Sequence, residues 1–153
     1  MRPSILDDYG LDSALARHIE EVSQHADMEI DYNYSSPPDE ERLPSRIEVC
    51  MFRIAQEAIT NIQRHSGASH ASVVVLRQAH EITMLVEDNG NGFHLSMLKE
   101  KRDKCLGLIG MKERVALLGG DVDIESTSGD GTTVRVRIPL DGVSNASANM
   151  DSR

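Results

Sequence analysis

The chain has 153 residues, a length typical of one domain, with 39% apolar and 27% charged residues. Its net charge of −9 argues against a broad nucleic-acid or anionic-membrane surface, because both need an excess of Lys and Arg. The charge leaves room for a small basic pocket. No apolar run approaches the roughly 18 residues of a membrane helix, and the N-terminus lacks the apolar stretch of a secretory signal. We expect a soluble, cytoplasmic protein.

The first half of the chain alternates between helical and strand patterns. Apolar residues at helical spacing predict a first helix from Asp12, and alternation predicts a strand over residues 28–34. A second helix is predicted after Pro44, with Ser45 as its cap, and runs to about residue 66. Its apolar stripe comprises Ile47, Met51, Ile54, Ala58 and Ile62.

The second half predicts mainly strands. Residues 71–77 and 82–88 read as one hairpin, and residues 122–126 and 132–139 as another. Between them, residues 89–104 predict a long functional loop, and a third helix follows from about Gly107 to Leu118. This order predicts a two-layer α/β sandwich, in which three helices cover one face of a single sheet.

The cysteines and histidines show no metal-site pattern. Cys50 and Cys105 lie far apart within apolar stretches, which predicts buried, reduced thiols. Six scattered histidines and two cysteines give no ligand spacing. We interpret His18 and most of the other histidines as surface or boundary residues.

The second predicted helix carries polar residues at four-residue steps. Glu57, Asn61 and His65 therefore share one helix face, directed away from the core. Glu57 and Asn61 offer the oxygen ligands that Mg²⁺ prefers, and Arg64 beside them suits a phosphate oxygen. A solvated polar helix face explains the same pattern when it is taken alone.

A second polar motif follows the predicted strand at residues 82–88. Asp88 ends this strand, and Gly90 and Gly92 come directly after it. A carboxylate here can accept a hydrogen bond from an amino group on a flat ring, while the glycines let that ring approach the backbone. A tight Asp-Asn-Gly turn explains the same residues. Because no helix follows immediately, this is not a dinucleotide-binding fingerprint.

A third motif lies where the long loop is predicted to enter the third helix. Gly107 and Gly110 open this helix, whose first N–H groups and dipole suit a phosphate. Just upstream, residues 99–104 contain four basic and two acidic side chains. A solvated loop and a close-packed glycine are the alternative. Thr132 would add a hydroxyl to a pocket floor, although a hairpin turn is the default interpretation of residues 129–133.

Taken in order, these motifs resemble a known superfamily of ATPases. Residues 52–65, 87–93, 107–120 and 131–132 are similar to the N, G1 and G2 boxes and the following Gly-Thr of the GHKL superfamily. That superfamily comprises gyrase, a heat-shock chaperone, histidine kinases and MutL. The resemblance covers about residues 45–140 and implies a Bergerat-type ATP-binding fold with a mixed sheet.

Within the superfamily, the chain most resembles sensor histidine kinases of the nitrate-sensor and DesK type. The resemblance implies ATP and Mg²⁺ as cofactors, with Asn61 as the metal ligand and Glu57 near the metal and its waters. It places Asp88 on the adenine amino group, with Gly90 and Gly92 lining the base pocket.

The same resemblance implies further contacts with the nucleotide. Thr132 would join a water network under the base, and Arg64 and His65 on the second helix are further candidate cofactor-binding residues. A lid over the phosphates would comprise the basic loop with Lys104, together with Gly107, Leu108, Gly110 and Met111.

One feature of the family is missing from this sequence. Such kinases carry an acceptor histidine upstream, within Arg-x-Leu-His-Asp-like text, and the surroundings of His18 do not match it. Residues 1–10 resemble the end of a linker from a dimerisation domain, residues 11–140 the catalytic domain, and residues 141–153 a disordered polar tail. The acceptor is therefore expected on a separate domain, with a response regulator further downstream.

The implied reaction is transfer of the ATP γ-phosphoryl group to a histidine. Positioning and charge neutralisation are its main requirements. Two alternatives remain open. One is an ATPase that drives a conformational change. The lack of a transducer after residue 140 argues against it. The other is a non-catalytic nucleotide-binding regulator, against which Glu57, Asn61 and Asp88 are all present.

Overall fold

The computed structural model describes residues 4–25, 28–38, 41–63, 68–90, 102–126 and 131–140. Four helices and five strands lie in these ranges. In chain order they are α1 (Ser4–Tyr9), α2 (Leu11–His25), β1 (Glu29–Ser35), α3 (Ser45–Asn61), β2 (His70–Arg77), β3 (Glu81–Asp88), α4 (Arg102–Leu117), β4 (Asp121–Ser126) and β5 (Thr132–Pro139).

The five strands form one mixed sheet with the order β1-β2-β3-β5-β4. Strands β1 and β2 are parallel, so the chain must cross over between them, and α3 lies in that crossover. The remaining neighbours are antiparallel, which confirms both predicted hairpins. In this order the end of β3 lies beside the start of β5.

Helices cover one face of this sheet. Alternate residues of β2, β3 and β5 point into the core, as expected for strands with one buried face. Helix α2 contacts β1, α3 contacts β3, and α4 contacts β4 and β5. On the opposite face, Val74 and Leu76 are exposed. The predicted two-layer α/β architecture is confirmed. Along the described ranges, no helix combines the length and apolar character needed to cross a membrane.

Helix α3 is the central helix of the core. The predicted apolar stripe is buried throughout, as is Cys50, which is a free thiol. The predicted Ser45 cap is wrong. Pro44 occupies the N-cap position without a side-chain hydrogen bond, and its carbonyl accepts from the N–H groups of Ile47 and Glu48. A backbone carbonyl therefore does what the Ser45 side chain was expected to do.

Helix α1 was not predicted from the sequence. Six residues are too few to show a helical period, yet Leu6 in α1 is only 1% exposed and belongs to the core. The described part of the chain thus has a fourth helix beside the three expected. The assignment of residues 1–10 to a linker stays a prediction.

Helix α4 begins earlier than predicted. It starts at Arg102 rather than Gly107, so Gly107 and Gly110 lie inside the helix. Interior glycines each cost about 1 kcal/mol relative to Ala, which favoured a start at Gly107 in the sequence. Burial of Met111 and Val115 in the core holds the helix in place despite these glycines.

A buried ion pair ties α1 to α3. Glu48 is the buried charged residue of the described chain, at 4% exposure, and the guanidinium of Arg42 donates to both of its carboxylate oxygens. Arg42 Nη2 also donates to the carbonyl of Leu6 at 2.6 Å. One side chain therefore neutralises the buried carboxylate and caps the end of α1.

Candidate functional site

The polar face of α3 borders a cleft of about 470 Å³ between α3 and α4. Glu57 lines this cleft together with Gly110 and Met111, which lie more than 50 positions further along the chain. The cleft is lined by His18, Arg53, Ile54, Gln56, Glu57, Thr60, Gly110, Met111 and Arg114. The structure thus brings one predicted metal-site residue together with two predicted lid residues.

Glu57 and Asn61 are both half-buried and lie one turn apart on α3. Groups of three or more His, Cys, Asp or Glu side chains that could hold a metal are absent from the described ranges. Mg²⁺ needs no such group, since it takes one or two protein oxygens and completes its shell with waters and phosphates. Glu57 and Asn61 therefore fit a magnesium site that a bound phosphate completes.

A second group of predicted residues meets where β3 ends and β5 begins. Asp88 pairs directly with Thr132 across the two strands. The N–H of Gly90 donates to Asp88 Oδ1 at 2.8 Å, which orients the carboxylate. Gly90 is buried and Asp88 is half-buried. These residues form a compact carboxylate-bearing turn at one end of the sheet.

Gly131 completes this turn, and sequence analysis missed its role. Its φ is +82°, a conformation that residues with a side chain rarely adopt. A Cβ built on Gly131 would overlap the backbone carbonyl of Asp88. Glycine is therefore required twice over at this position. Its place before Thr132 was visible in the sequence, but the pairing of β5 with β3, which puts Gly131 against Asp88, was needed to explain it.

The two groups lie toward the same end of the sheet. After α3 ends at Asn61, the chain enters β2 at His70, and Asn89 hydrogen-bonds to Ser69 and His70. The residue after Asp88 is thus bonded to the segment that follows Asn61 along the chain. Helix α3 also packs against β3.

Two arginines and a histidine add to the chemistry of the cleft. Arg53 and Arg114 both line it, and Arg53 Nη1 donates to Gln56 Oε1 at 3.2 Å. His18 is half-buried, with its ring edge-on to Phe52 at 5.9 Å. Burial lowers the pKa of His18, while nearby Glu21 opposes the shift, and its Nε2 makes no hydrogen bond among the described residues. The His18 ring therefore borders the cleft in surroundings that disfavour its charged form.

Several predicted site residues cannot be placed in this geometry. Arg64, His65 and Gly92 lie outside the described residues, as do the side chains of Lys104 and Leu108. Gly107 lies within α4, at its sixth residue. Only the first four N–H groups of a helix lack a partner within it, so Gly107 and Gly110 do not present theirs to a phosphate in this conformation. The predicted helix start at this motif is wrong, and its role as a lid stays a prediction.

Comparison with known proteins identifies the family. The family model described as histidine kinase-, DNA gyrase B- and HSP90-like ATPase matches residues 47–142, well over half of the chain. The chain belongs to this family. The match includes residues 47–61 of α3, the Asp88 turn, α4 and β5, so it contains the site residues described above except His18 of the cleft.

Three similar curated proteins are named as histidine kinases. The signal transduction histidine-protein kinase/phosphatase DegS of Brevibacillus brevis is 36% identical over 140 residues, covering 92% of this chain and 35% of DegS. DegS of Bacillus subtilis (strain 168) is 37% identical over 140 residues, covering 91% of this chain and 36% of that protein. The sensor histidine kinase LiaS of the same strain is 31% identical over 140 residues, covering 92% and 37%. The chain thus spans about a third of these relatives.

Solved structures agree on the fold. A blue-light activated histidine kinase of Erythrobacter litoralis, EL346, matches with a TM-score of 0.66 at 20% identity, over 82% of this chain and 40% of that one. Its histidine kinase domain matches with a TM-score of 0.62 at 20% identity, over 84% of this chain and 60% of that one. The predicted histidine-kinase ATPase domain is confirmed, and an ATPase domain implies ATP binding.

Proposed function

We propose that this chain binds Mg-ATP and transfers the γ-phosphoryl group to a histidine on a separate dimerisation domain. The observation that carries the proposal is the convergence of Glu57 on α3 with Gly110 and Met111 on α4, toward the same end of the sheet as the Asp88 turn. The reaction is that of the catalytic domain of a two-component sensor kinase. From there the phosphoryl group would pass to a response regulator in the cytoplasm.

The base would bind at the Asp88 turn. Gly90 donates to one carboxylate oxygen of Asp88, so the carboxylate is already oriented to accept from the amino group of adenine. Gly90 and Gly92 would line the base pocket and allow close approach, while Gly131 makes room for the backbone carbonyl of Asp88. Thr132, paired with Asp88, would contribute its hydroxyl to a water network under the base.

The phosphates would lie toward α3. Asn61 would hold Mg²⁺, with Glu57 near the metal and its waters; the bound ion would neutralise charge that develops on the transferred group. Glu57 lines the cleft from which an acceptor imidazole would approach, and it would orient that imidazole or a metal-bound water. A neutral imidazole is already a nucleophile, so this step needs no strong base.

The lid would involve α4 and the loop before it. Lys104, Gly107, Leu108, Gly110 and Met111 would cover the phosphates, with Arg64 and His65 beside them. Interior glycines make the first turns of α4 less stable than those of an alanine-rich helix. A rearrangement of these turns on nucleotide binding would free the N–H groups that α4 engages here.

The proposed docking face for the acceptor domain is the groove between α3 and α4. Its volume is about 500 Å³, and its lining residues are Arg46, Val49, Cys50, Arg53, Arg114, Leu117 and Leu118. Arg53 and Arg114 also line the cleft at Glu57, so the groove continues into the cleft from which the acceptor imidazole would approach. Leu117 is 87% exposed at its rim. Three arginines over an apolar floor suit an acidic, amphipathic helix.

Two variants test nucleotide binding directly. Asp88→Asn keeps the size of the side chain but weakens its acceptor, so we expect calorimetry to show clearly weaker ATP binding. Asn61→Ala should abolish phosphotransfer and keep part of the nucleotide affinity. Unchanged affinity of Asp88→Asn would remove Asp88 from the base pocket, and full activity of Asn61→Ala would remove Asn61 from the metal site.

The docking face needs a variant that leaves nucleotide binding intact. Leu117→Glu should reduce phosphotransfer to a separately supplied dimerisation domain without changing ATP affinity, because it repels an acidic helix from the groove. Leu76→Glu is the matched control, since Leu76 is an exposed leucine on the face of the sheet opposite the helices. Equal transfer by Leu117→Glu and wild type would place the docking face elsewhere.

A further inference from the structure

The side chain of Asn89 joins the Asp88 turn to the start of β2. Its Oδ1 accepts hydrogen bonds from the N–H groups of Ser69 at 3.1 Å and His70 at 3.0 Å. Its Nδ2 donates to Ser69 Oγ at 3.1 Å. The N–H of Asn89 itself donates to the carbonyl of His70 at 3.1 Å. Four hydrogen bonds therefore hold one exposed residue against the strand beside it.

These bonds are not explained by burial. Asn89 and Ser69 are exposed, so water would satisfy the same groups without a large energetic penalty. What the bonds do is restrict the backbone on both sides of Asn89. Asp88 precedes it, and the N–H of Gly90 after it donates to the Asp88 carboxylate. The direction of that carboxylate thus depends on how Asn89 is held.

The partners of Asn89 belong to the connection between α3 and β2. Ser69 and His70 are the residues at which the chain enters the sheet after α3, and α3 carries Glu57 and Asn61. The carbonyl of Ser69 also accepts from the N–H of Glu29 at 3.0 Å, so this point is anchored to β1 as well. Asn89 therefore links the proposed base site to a fixed point on the connection that follows α3.

We infer that Asn89 is a positioning residue that orients the base-binding carboxylate of Asp88 relative to the α3 face. This inference rests on the proposed function. Asn89 acts through Asp88 and Gly90, not by contact with the nucleotide. The group that matters is its acceptor oxygen, which receives two backbone N–H bonds.

The test compares a variant that keeps the acceptor with one that removes it. Asn89→Asp retains oxygen acceptors for both N–H groups, and the hydroxyl of Ser69 can donate to its second oxygen. Asn89→Leu has a similar size and accepts nothing. Asn33→Leu is the matched control, because Asn33 is an exposed asparagine on β1.

The test measures the affinity for adenosine. Binding is followed through the backbone amide chemical shifts of the full chain during an adenosine titration. Adenosine carries no phosphate, so the added charge of Asn89→Asp does not repel it. We expect Asn89→Leu to bind adenosine roughly tenfold more weakly, because the Asp88 turn loses three side-chain hydrogen bonds. Asn89→Asp and Asn33→Leu should remain within about threefold of wild type.

Each other outcome is decisive. Wild-type affinity of folded Asn89→Leu overturns the inference, since it reduces these bonds to a contribution to stability. If Asn89→Asp is as weak as Asn89→Leu, the amide itself contacts the ligand and positioning is again overturned. Absence of adenosine and ATP binding by the wild type, measured first, would instead refute the proposed function.

Discussion

Replacing Gly131 with alanine should weaken ATP binding through the backbone of Asp88. A residue other than glycine at the Gly131 φ of +82° costs roughly 1–2 kcal/mol in backbone conformation alone. The added Cβ would also overlap the Asp88 carbonyl, so that carbonyl must move. The Asp88 side chain moves with it, away from the position in which Gly90 holds it.

The expected loss follows from one charged hydrogen bond. A bond between a carboxylate and a ligand amino group contributes about 1.5–3 kcal/mol, which corresponds to a roughly 10- to 150-fold change in dissociation constant. Isothermal titration calorimetry with Mg-ATP measures this loss. Urea unfolding of the same variant establishes that the protein titrated is folded.

Gly119→Ala is the matched control for the backbone cost. Gly119 ends α4 with a φ of +78°, and a Cβ there would lie 3.6 Å from Pro139 Cγ, an ordinary contact. It should lose stability through its backbone conformation and keep wild-type ATP affinity. Equal ATP affinities of folded Gly131→Ala and wild type would refute the link between this glycine and the base site.

Three further predictions concern stability and ionisation. Arg42→Met should lower the free energy of unfolding in urea by about 3 kcal/mol, because Glu48 stays buried without its partner. This value is the lower end for a broken buried ion pair, since Arg42 itself is 50% exposed. Adding Glu48→Leu should restore most of the lost stability. Acidification from about pH 7 to 5.5 should lower the thermal stability of the wild type more than that of His18→Leu. Burial lowers the pKa of His18 from its usual 6.5, so in this pH range the unfolded chain takes up a proton that the folded chain does not. Burial raises the pKa of Cys50 to about 11, so iodoacetamide should modify this thiol slowly near neutral pH. Measured in a Cys105→Ser background, the rate should rise about tenfold per pH unit until the pH approaches the pKa.

Each of these has a clear contradiction. Wild-type stability of Arg42→Met would show that water or another side chain compensates for the loss of Arg42 at Glu48. Identical acid sensitivity of His18→Leu would assign the loss to other groups. Rapid alkylation of Cys50 at neutral pH would contradict its burial.

Most of the fold could be predicted because hydrophobic periodicity decides it. The α3 stripe and the alternation in β2, β3 and β5 each reflect burial of one face, and both hairpins follow from adjacent strands with short turns. The exceptions are tertiary. Helix α1 is too short to show a period, and its Leu6 is held in the core partly by Arg42, 36 positions away.

The site was predicted only as far as individual residues carry chemistry. Glu57, Asn61 and Asp88 were proposed as site residues because oxygen ligands and carboxylates are recognisable in sequence. Gly131 and Asn89 were missed as positioning residues because their roles depend on neighbours across the sheet, Asp88 and the start of β2. The predicted start of α4 was wrong because the low helix propensity of glycine was given more weight than the burial of Met111 and Val115, which the sequence alone does not show.

The most direct test of the account supplies the chain with Mg-ATP and a separately purified dimerisation domain that carries an acceptor histidine. With γ-labelled ATP, the account predicts label on that domain in a linkage that is labile to acid and stable to base, as expected of a phosphorylated imidazole. Release of free phosphate without labelled domain would contradict it and indicate an ATPase. If neither product forms, the non-catalytic nucleotide-binding regulator is favoured.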